Sequence, residues 1–133
     1  MSGGRLTKRK HRWGTNRSLL ELFKALNKEF FDNKLPRVRV EWDTDKEPVP
    51  GTIIARCKWH GPEGGKPEQY KAYLLQISRK LRPVYLQKQV GMSMLHEMAH
   101  LKLGVSVDCK DWDGAFDKEM LRLAKAKAFQ YFW

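Results

Sequence analysis

The chain predicts a small α+β domain, with one amphipathic helix early, three short strands grouped after it, and two further helices. Two patterns carry that expectation. Apolar residues recur at spacings of three and four near 19–30, 86–101 and 116–124, whereas between 38 and 78 they alternate with polar ones in short windows separated by Gly and Pro. Strands collected ahead of the longest helix imply an antiparallel or mixed sheet packed on one side by helices. At 133 residues there is enough chain for one core and too little for two.

Taken in order, Ser18-Leu19-Leu20-Glu21 has the form of a capping box, in which a serine hydroxyl and a glutamate satisfy each other's orphan amides. The helix it opens carries Leu19, Leu22, Phe23, Leu26 and Phe30 on one face and stops before Asn33 and Pro36. Val38, Val40 and Trp42 alternate with Arg39 and Glu41, which predicts a strand with one wet face. After the turn residues Pro48, Pro50 and Gly51, a second alternation runs through Ile53, Ala55, Cys57 and Trp59. Residues 60–67 are a Gly/Pro-rich loop, and a third strand is expected over 70–78 with Tyr73, Leu75 and Ile77 on one face. An edge strand there could hold an extended peptide by main-chain pairing. Leu86, Val90, Met94, Met98 and Leu101, with Leu95 alongside, predict a helix over 83–103 bounded by Pro83 and Gly104. The last helix is expected from about Gly114, with Phe116, Met120, Leu123 and Ala124 on its apolar side.

Charge is unevenly spread. Lys and Arg number 26 against 15 Asp and Glu, a net charge of +11 that attracts polyanions at long range. Residues 1–17 hold Arg5, Lys8, Arg9, Lys10, Arg12 and Arg17 and no acid, so a basic, glycine-bearing arm is expected before a domain spanning 18–133. Those six cations are the expected contacts to nucleic acid, and Trp13 among them could stack on a base. No long apolar run or secretory signal is visible, and the two cysteines, Cys57 and Cys109, are far apart. An intracellular, cytoplasmic protein without membrane contact is therefore expected, and it is expected to be a monomer.

The chemistry is concentrated in His96-Glu97-Met98-Ala99-His100. On a helix, residues four apart lie roughly 40° apart around the axis and about 6 Å along it, so both imidazoles can reach one metal ion. Glu97 stands about 100° round from His96, beside the ion, where a carboxylate can act as a general base. This His-Glu-x-x-His spacing on a helix is that of zinc hydrolases, which normally take a third protein ligand and leave a fourth position to water. No third histidine follows. The downstream candidates are Asp108, Cys109, Asp111, Asp113, Asp117 and Glu119; the last is spaced like the glutamate ligand of some zinc peptidases but has Leu123 where an aspartate partner would stand.

HEMAHLKLG followed by DWDGAFDKEMLRLAK resembles the SprT-like zinc metalloproteases, whose motif helix is followed by a short loop and His-Gly-x-x-Phe. LLELFKALNKEFFDNKLPRVRVEWD and YKAYLLQISRKL are similar to the family's first helix and strand and to the strand before its active-site helix. The resemblance, over most of 18–126, implies a small zincin-like α+β fold and a zinc-dependent endopeptidase. It implies metal ligands at His96 and His100, Glu97 activating a zinc-bound water, and a protein or peptide substrate associated with DNA. The family's third histidine falls on Asp113. An aspartate oxygen can bind zinc at about 2.0–2.2 Å, with shorter reach and a charge that weakens the ion as a Lewis acid. Asp113 is the expected third ligand, ahead of Glu119, Asp111 and Cys109, and its competing role is as an N-cap. The cysteine cluster of many relatives is absent, which leaves the basic arm for DNA tethering. The rival expectation is a non-catalytic, basic nucleic-acid-associated protein with a structural or degenerate metal site.

Other residues carry weaker expectations. His60 could approach a metal from its loop, and Tyr70, Tyr73 and Tyr85 are possible oxyanion donors. Trp42, Trp59 and Trp112 are expected to pack, while Lys71, Arg79, Lys80 and Arg82 extend a basic surface or form the wet side of a strand and turn.

Overall fold

The computed structural model describes residues 13–107, 110 and 114–132. Among them are three α-helices and one three-stranded sheet, an α+β layer fold. Helix α1 spans Asn16–Phe30 and buries Leu19, Leu22, Phe23 and Leu26, the face that the spacing predicts. It starts one turn earlier than Ser18. Thr15 is the N-cap, its hydroxyl accepting from the Ser18 amide at 3.0 Å while the Ser18 hydroxyl accepts from the Thr15 amide at 3.0 Å. Glu21, expected in the cap, instead lies 3.7 Å from Arg17 on an exposed face.

The earlier start has a tertiary cause. Asn16 Oδ1 accepts from the Trp42 amide at 2.9 Å, the Trp13 carbonyl accepts from Trp42 Nε1 at 3.0 Å, and the Trp13 amide donates to Gln87 Oε1 at 2.6 Å. Residues 13–17, grouped by charge with the arm, are thus sewn to the domain. Trp13 packs against the core, which removes it as a free stacking platform. Arg5, Lys8, Arg9, Lys10 and Arg12 lie outside the described residues.

The sheet comprises β1 (Arg39–Trp42), β2 (Ala55–His60) and β3 (Lys71–Ile77) in the order β1-β3-β2. β1 runs parallel to β3 and β2 antiparallel to it. The third strand is therefore central, and the edges of the sheet belong to β1 and β2, not to β3 as expected. Val40 and Trp42 face the core while Arg39 and Glu41 pair at 2.9 Å on the wet side. In β3 the alternation breaks: Lys58 pairs with Leu74 but Trp59 pairs with Ala72, leaving Tyr73 as the extra residue of a bulge. Ala72 takes the core position with Leu75 and Ile77, and Tyr73 stacks on His60 at 3.7 Å.

The outer face of the sheet is covered by the segment after β1. Lys58 Nζ bonds Glu47 Oε2 at 2.6 Å, Gln76 Nε2 donates to the Glu47 carbonyl at 3.1 Å, and buried Asp43 accepts from the amides of Val49 and Arg79 at 2.8 and 2.9 Å. Burial alone would push the Asp43 carboxyl up; those two amides and the Arg79 guanidinium outweigh it and hold the group below its ordinary range.

Helix α2 (Gln87–Leu103) follows a short 3-10 turn at Val84–Leu86. It is buried on most sides because sheet, α1 and the C-terminal helix all pack on it, with Val90, Met94, Leu95 and Met98 fully enclosed. Gly104, at φ 102°, ends it in a conformation that suits glycine, its amide donating to the His100 carbonyl at 2.9 Å. Helix α3 (Ala115–Lys125) takes Gly114 as N-cap and buries Phe116, Glu119 and Leu123, while Ala124 is exposed. No helix among the described residues is long and apolar enough to cross a membrane.

Candidate active site

His96, Glu97 and His100 sit on the C-terminal half of α2, held by the core residues Met94, Leu95 and Met98 between them. The two imidazole centroids are 5.0 Å apart. An ion about 2.0–2.1 Å from one nitrogen of each ring is compatible with that separation. Phe116, from the start of α3, lies 4.7 Å from the His96 ring and 4.6 Å from the His100 ring. One aromatic thus walls both histidines. Sequence periodicity placed Phe116 only in the core, although its position in Asp-Gly-Ala-Phe carried the signal.

Burial lowers the pKa of His96, favouring the neutral imidazole that binds metal. Glu97 is only 7% exposed, and burial raises its carboxyl to about 7, with the neighbouring Cys57 thiol pulling weakly the other way. Cys57 Sγ, from the facing strand β2, lies 3.7 Å from the Glu97 carbonyl oxygen. Its own pKa is driven far up, chiefly by burial and then by the Glu97 charge, so it remains a thiol. Alternation puts Cys57 on a strand and links it to no site, because only the fold brings β2 against α2.

Two imidazoles from one helix face, beside a carboxyl free of any Lys or Arg partner among the described residues, suit a borderline metal ion with an adjacent general base. No third His, Cys, Asp or Glu joins them among the described residues. Asp113 lies outside those residues, as do Asp108, Cys109, Asp111 and Trp112. Glu119 does not join the histidines. Its oxygens are taken by Lys102 Nζ at 2.7 Å and by Arg122 Nε and Nη2 at 2.7–3.1 Å, an arrangement that clamps α3 to α2. Arg122 Nη2 also donates to the Phe30 carbonyl at 2.8 Å, extending the clamp to α1.

A cleft of about 660 Å³ opens onto His96 and Glu97, bounded by residues 52–55, one side of α2, and Met120 and Phe129. The remaining candidates lie elsewhere. His60 is at the far end of β2 against Tyr73, Tyr70 Oη donates to the Pro62 carbonyl at 2.7 Å, and Tyr85 is exposed, so none lines the cleft. Trp42 and Trp59 pack on the core as expected. Arg79 pairs with Asp43 and Asp45, and Arg82 lies 5.9 Å over Trp42; Lys71 and Lys80 are exposed, and none of the four lines the cleft.

Neither curated proteins nor solved structures give a match to this chain. The SprT-like family model matches residues 19–131, an interval that begins in α1, includes the whole sheet and motif helix, and ends after α3. That family is typically metal-dependent and consistent with a peptidase-like hydrolase. With this match over most of its length, the chain belongs to the SprT-like family.

Proposed function

We propose that the chain is a zinc-dependent endopeptidase, with His96, His100 and Asp113 as metal ligands and Glu97 as general base. The observation that carries this is the histidine pair under Phe116 beside a buried carboxyl with no cationic partner among the described residues, at the wall of an open cleft. Zinc, when bound, supplies a Lewis acid that polarises a scissile carbonyl and acidifies a water. Glu97 takes a proton from that water as its oxygen attacks the carbonyl carbon. The same carboxyl then delivers the proton to the amine nitrogen as the C–N bond breaks, so the base ends the cycle as it began. A carboxyl that holds protons near neutral pH is suited to both halves of that transfer. The free edge of β2, which among the described residues pairs only with β3, offers main-chain groups to an extended substrate.

The basic arm adds the substrate class. A net charge of +11, with Arg5, Lys8, Arg9, Lys10, Arg12 and Arg17 ahead of the sheet, supports recruitment to nucleic acid and hence to proteins associated with it. The rival, a non-catalytic nucleic-acid-associated protein with a degenerate metal site, draws on aspartate in place of the family's third histidine. Glu97, with no cationic partner among the described residues, weighs against it, since a purely structural site has no use for a general base.

Metal content and cleavage of casein or histone, with and without single-stranded DNA, test these assignments. Zinc near one per chain is expected in the native protein and in Glu97→Gln, with loss in His96→Ala and Asp113→Ala. Cleavage should fall about 10²–10⁴-fold in Glu97→Gln. Zinc retained without Asp113 would remove that residue as a ligand, and full zinc with no cleavage under any condition would leave the binding protein. Deleting residues 1–12, which leaves Trp13, Thr15 and Asn16 in place, should flatten the salt dependence of DNA binding; no change would remove the arm's role.

A further inference from the structure

The cleft beside His96 and Glu97 differs sharply in character from the surface around it. One wall is a stripe of α2, Gln89, Met92, Ser93 and His96, residues three and four apart that share a face. Ile53 and Ile54 oppose it where the chain enters β2, and Met120 with Phe129 closes the end. Ile53, Ile54 and Met92 are 44%, 46% and 42% exposed, so large apolar side chains stand open to water at the rim of the site. A cluster of that kind marks a surface that another molecule covers. Among the described residues of the lining Glu97 is the sole Asp, Glu, Lys or Arg, on a chain whose net charge is +11. The cleft therefore does not share the preference of the basic surface for acidic partners. Its volume of about 660 Å³ lies within the range of about 300–1,000 Å³ usual for binding pockets.

Resting on the peptidase assignment above, we infer that this cleft is a specificity subsite for a large aliphatic or aromatic side chain next to the scissile bond of an extended polypeptide. Ile53, Ile54, Met92 and Met120 grip that side chain while the substrate backbone lies along the free edge of β2. Charge recruits the substrate and apolar contact chooses the bond. The two selections are made by different surfaces and are separable by mutation.

The test uses the zinc-loaded full chain and a mixture of synthetic peptides that presents every residue type beside every other, with the cut sites read by mass spectrometry. Leu, Met, Ile and Phe at one position flanking the cut are expected to exceed Asp and Lys there by about tenfold or more. Met92→Lys should lower cleavage beside Leu and Phe about tenfold and raise the relative cleavage beside Glu, with zinc content and melting temperature unchanged. Ile53→Ser, at a position 44% exposed, should weaken the preference a few-fold and serves if Met92→Lys fails to fold. A flat residue preference, or a preference unmoved in both variants, overturns the inference. Affinity of acetylated Leu and Lys peptides for Glu97→Gln, by fluorescence anisotropy, separates the two levels. Tighter binding of the Leu peptide without any cleavage by native protein upholds the cleft and removes the peptidase, whereas equal binding removes the subsite.

Discussion

Glu97 and Glu119 are both helical glutamates pressed into the interior, 7% and 5% exposed, and the fold treats them in opposite ways. Around Glu97 stand Cys57, two histidines and apolar side chains, so burial dominates and its carboxyl is raised to about 7. Around Glu119, burial pushes the same way but is outweighed by Arg122 and Lys102, which hold that carboxyl below the ordinary range. The difference teaches what each is for. A carboxylate between two cations is locked in one charge state and fastens helices together; a carboxyl kept from cations can change state, which costs stability and permits proton transfer.

The largest effect expected in folding comes from removing the charge at Glu97. In metal-free folded protein the group keeps its proton up to about pH 7, against an ordinary value of 4.5 in the unfolded chain. Between those values the folded state binds the proton and the unfolded state does not, so stability falls as pH rises and the loss is complete above about 7. That difference amounts to on the order of 3 kcal/mol. Urea unfolding with chelator present should find Glu97→Gln more stable than native protein by that order at pH 8, and the two alike near pH 4. A Glu97→Gln that is less stable at pH 8 would mean that Glu97 has a cationic partner after all, and the contrast with Glu119 would collapse.

Glu119→Gln should move stability in the other direction. Its carboxylate is lowered in the folded state, so the stability it contributes is present above the ordinary value of 4.5 and is lost as pH falls through the folded value. At pH 7 the substitution should cost about 2 kcal/mol, less than the roughly 3–5 kcal/mol usual for breaking a fully buried pair, because Lys102 and Arg122 are each partly exposed and can rehydrate. The gap should close in acid. Native and Glu119→Gln proteins thus converge at low pH after differing at neutrality, with the native protein ahead, whereas Glu97→Gln leads its native counterpart. An equal loss at pH 7 and pH 3 would make Glu119 a packing residue rather than an ionic clamp.

How much of this contrast the sequence carried depends on separation along the chain. His96 and His100 are four residues apart on one helix, so their common face, with Glu97 about 100° round from it, was legible from the helical repeat alone. Leu19 to Leu26 and Val40 to Trp42 were equally local. Glu119 was weighed as a ligand because its distance from His100 fitted one, and only the packing of α3 on α2 reveals Lys102 across from it. Strand order failed for the same reason: alternation assigns faces but not neighbours, so the central place of β3 was invisible. The Tyr73 bulge shifts a face by one residue without any Gly or Pro to announce it. At the first helix, Thr15/Ser18 and Ser18/Glu21 both satisfy the capping pattern, and the bonds from Trp42 to Asn16 and Trp13 decide between them.

The smallest effect tests the thiol beside Glu97. Cys57 is held on β2 with its sulfur 3.7 Å from the Glu97 carbonyl oxygen, and its nearness lowers the Glu97 carboxyl slightly against the larger effect of burial. A thiol is a weak donor, so its removal is worth about 0.5–1.5 kcal/mol at most, equivalent to about one pH unit or less. In Cys57→Ala the fall of metal-free stability with rising pH should therefore deepen by that amount and its midpoint move upward. The native thiol, driven far above its ordinary value by burial, should also resist iodoacetamide until the protein unfolds. A midpoint that moves downward, or a Cys57 alkylated as fast as a free thiol, would place the sulfur in a charged or open setting and make Glu97 less isolated than its contrast with Glu119 requires.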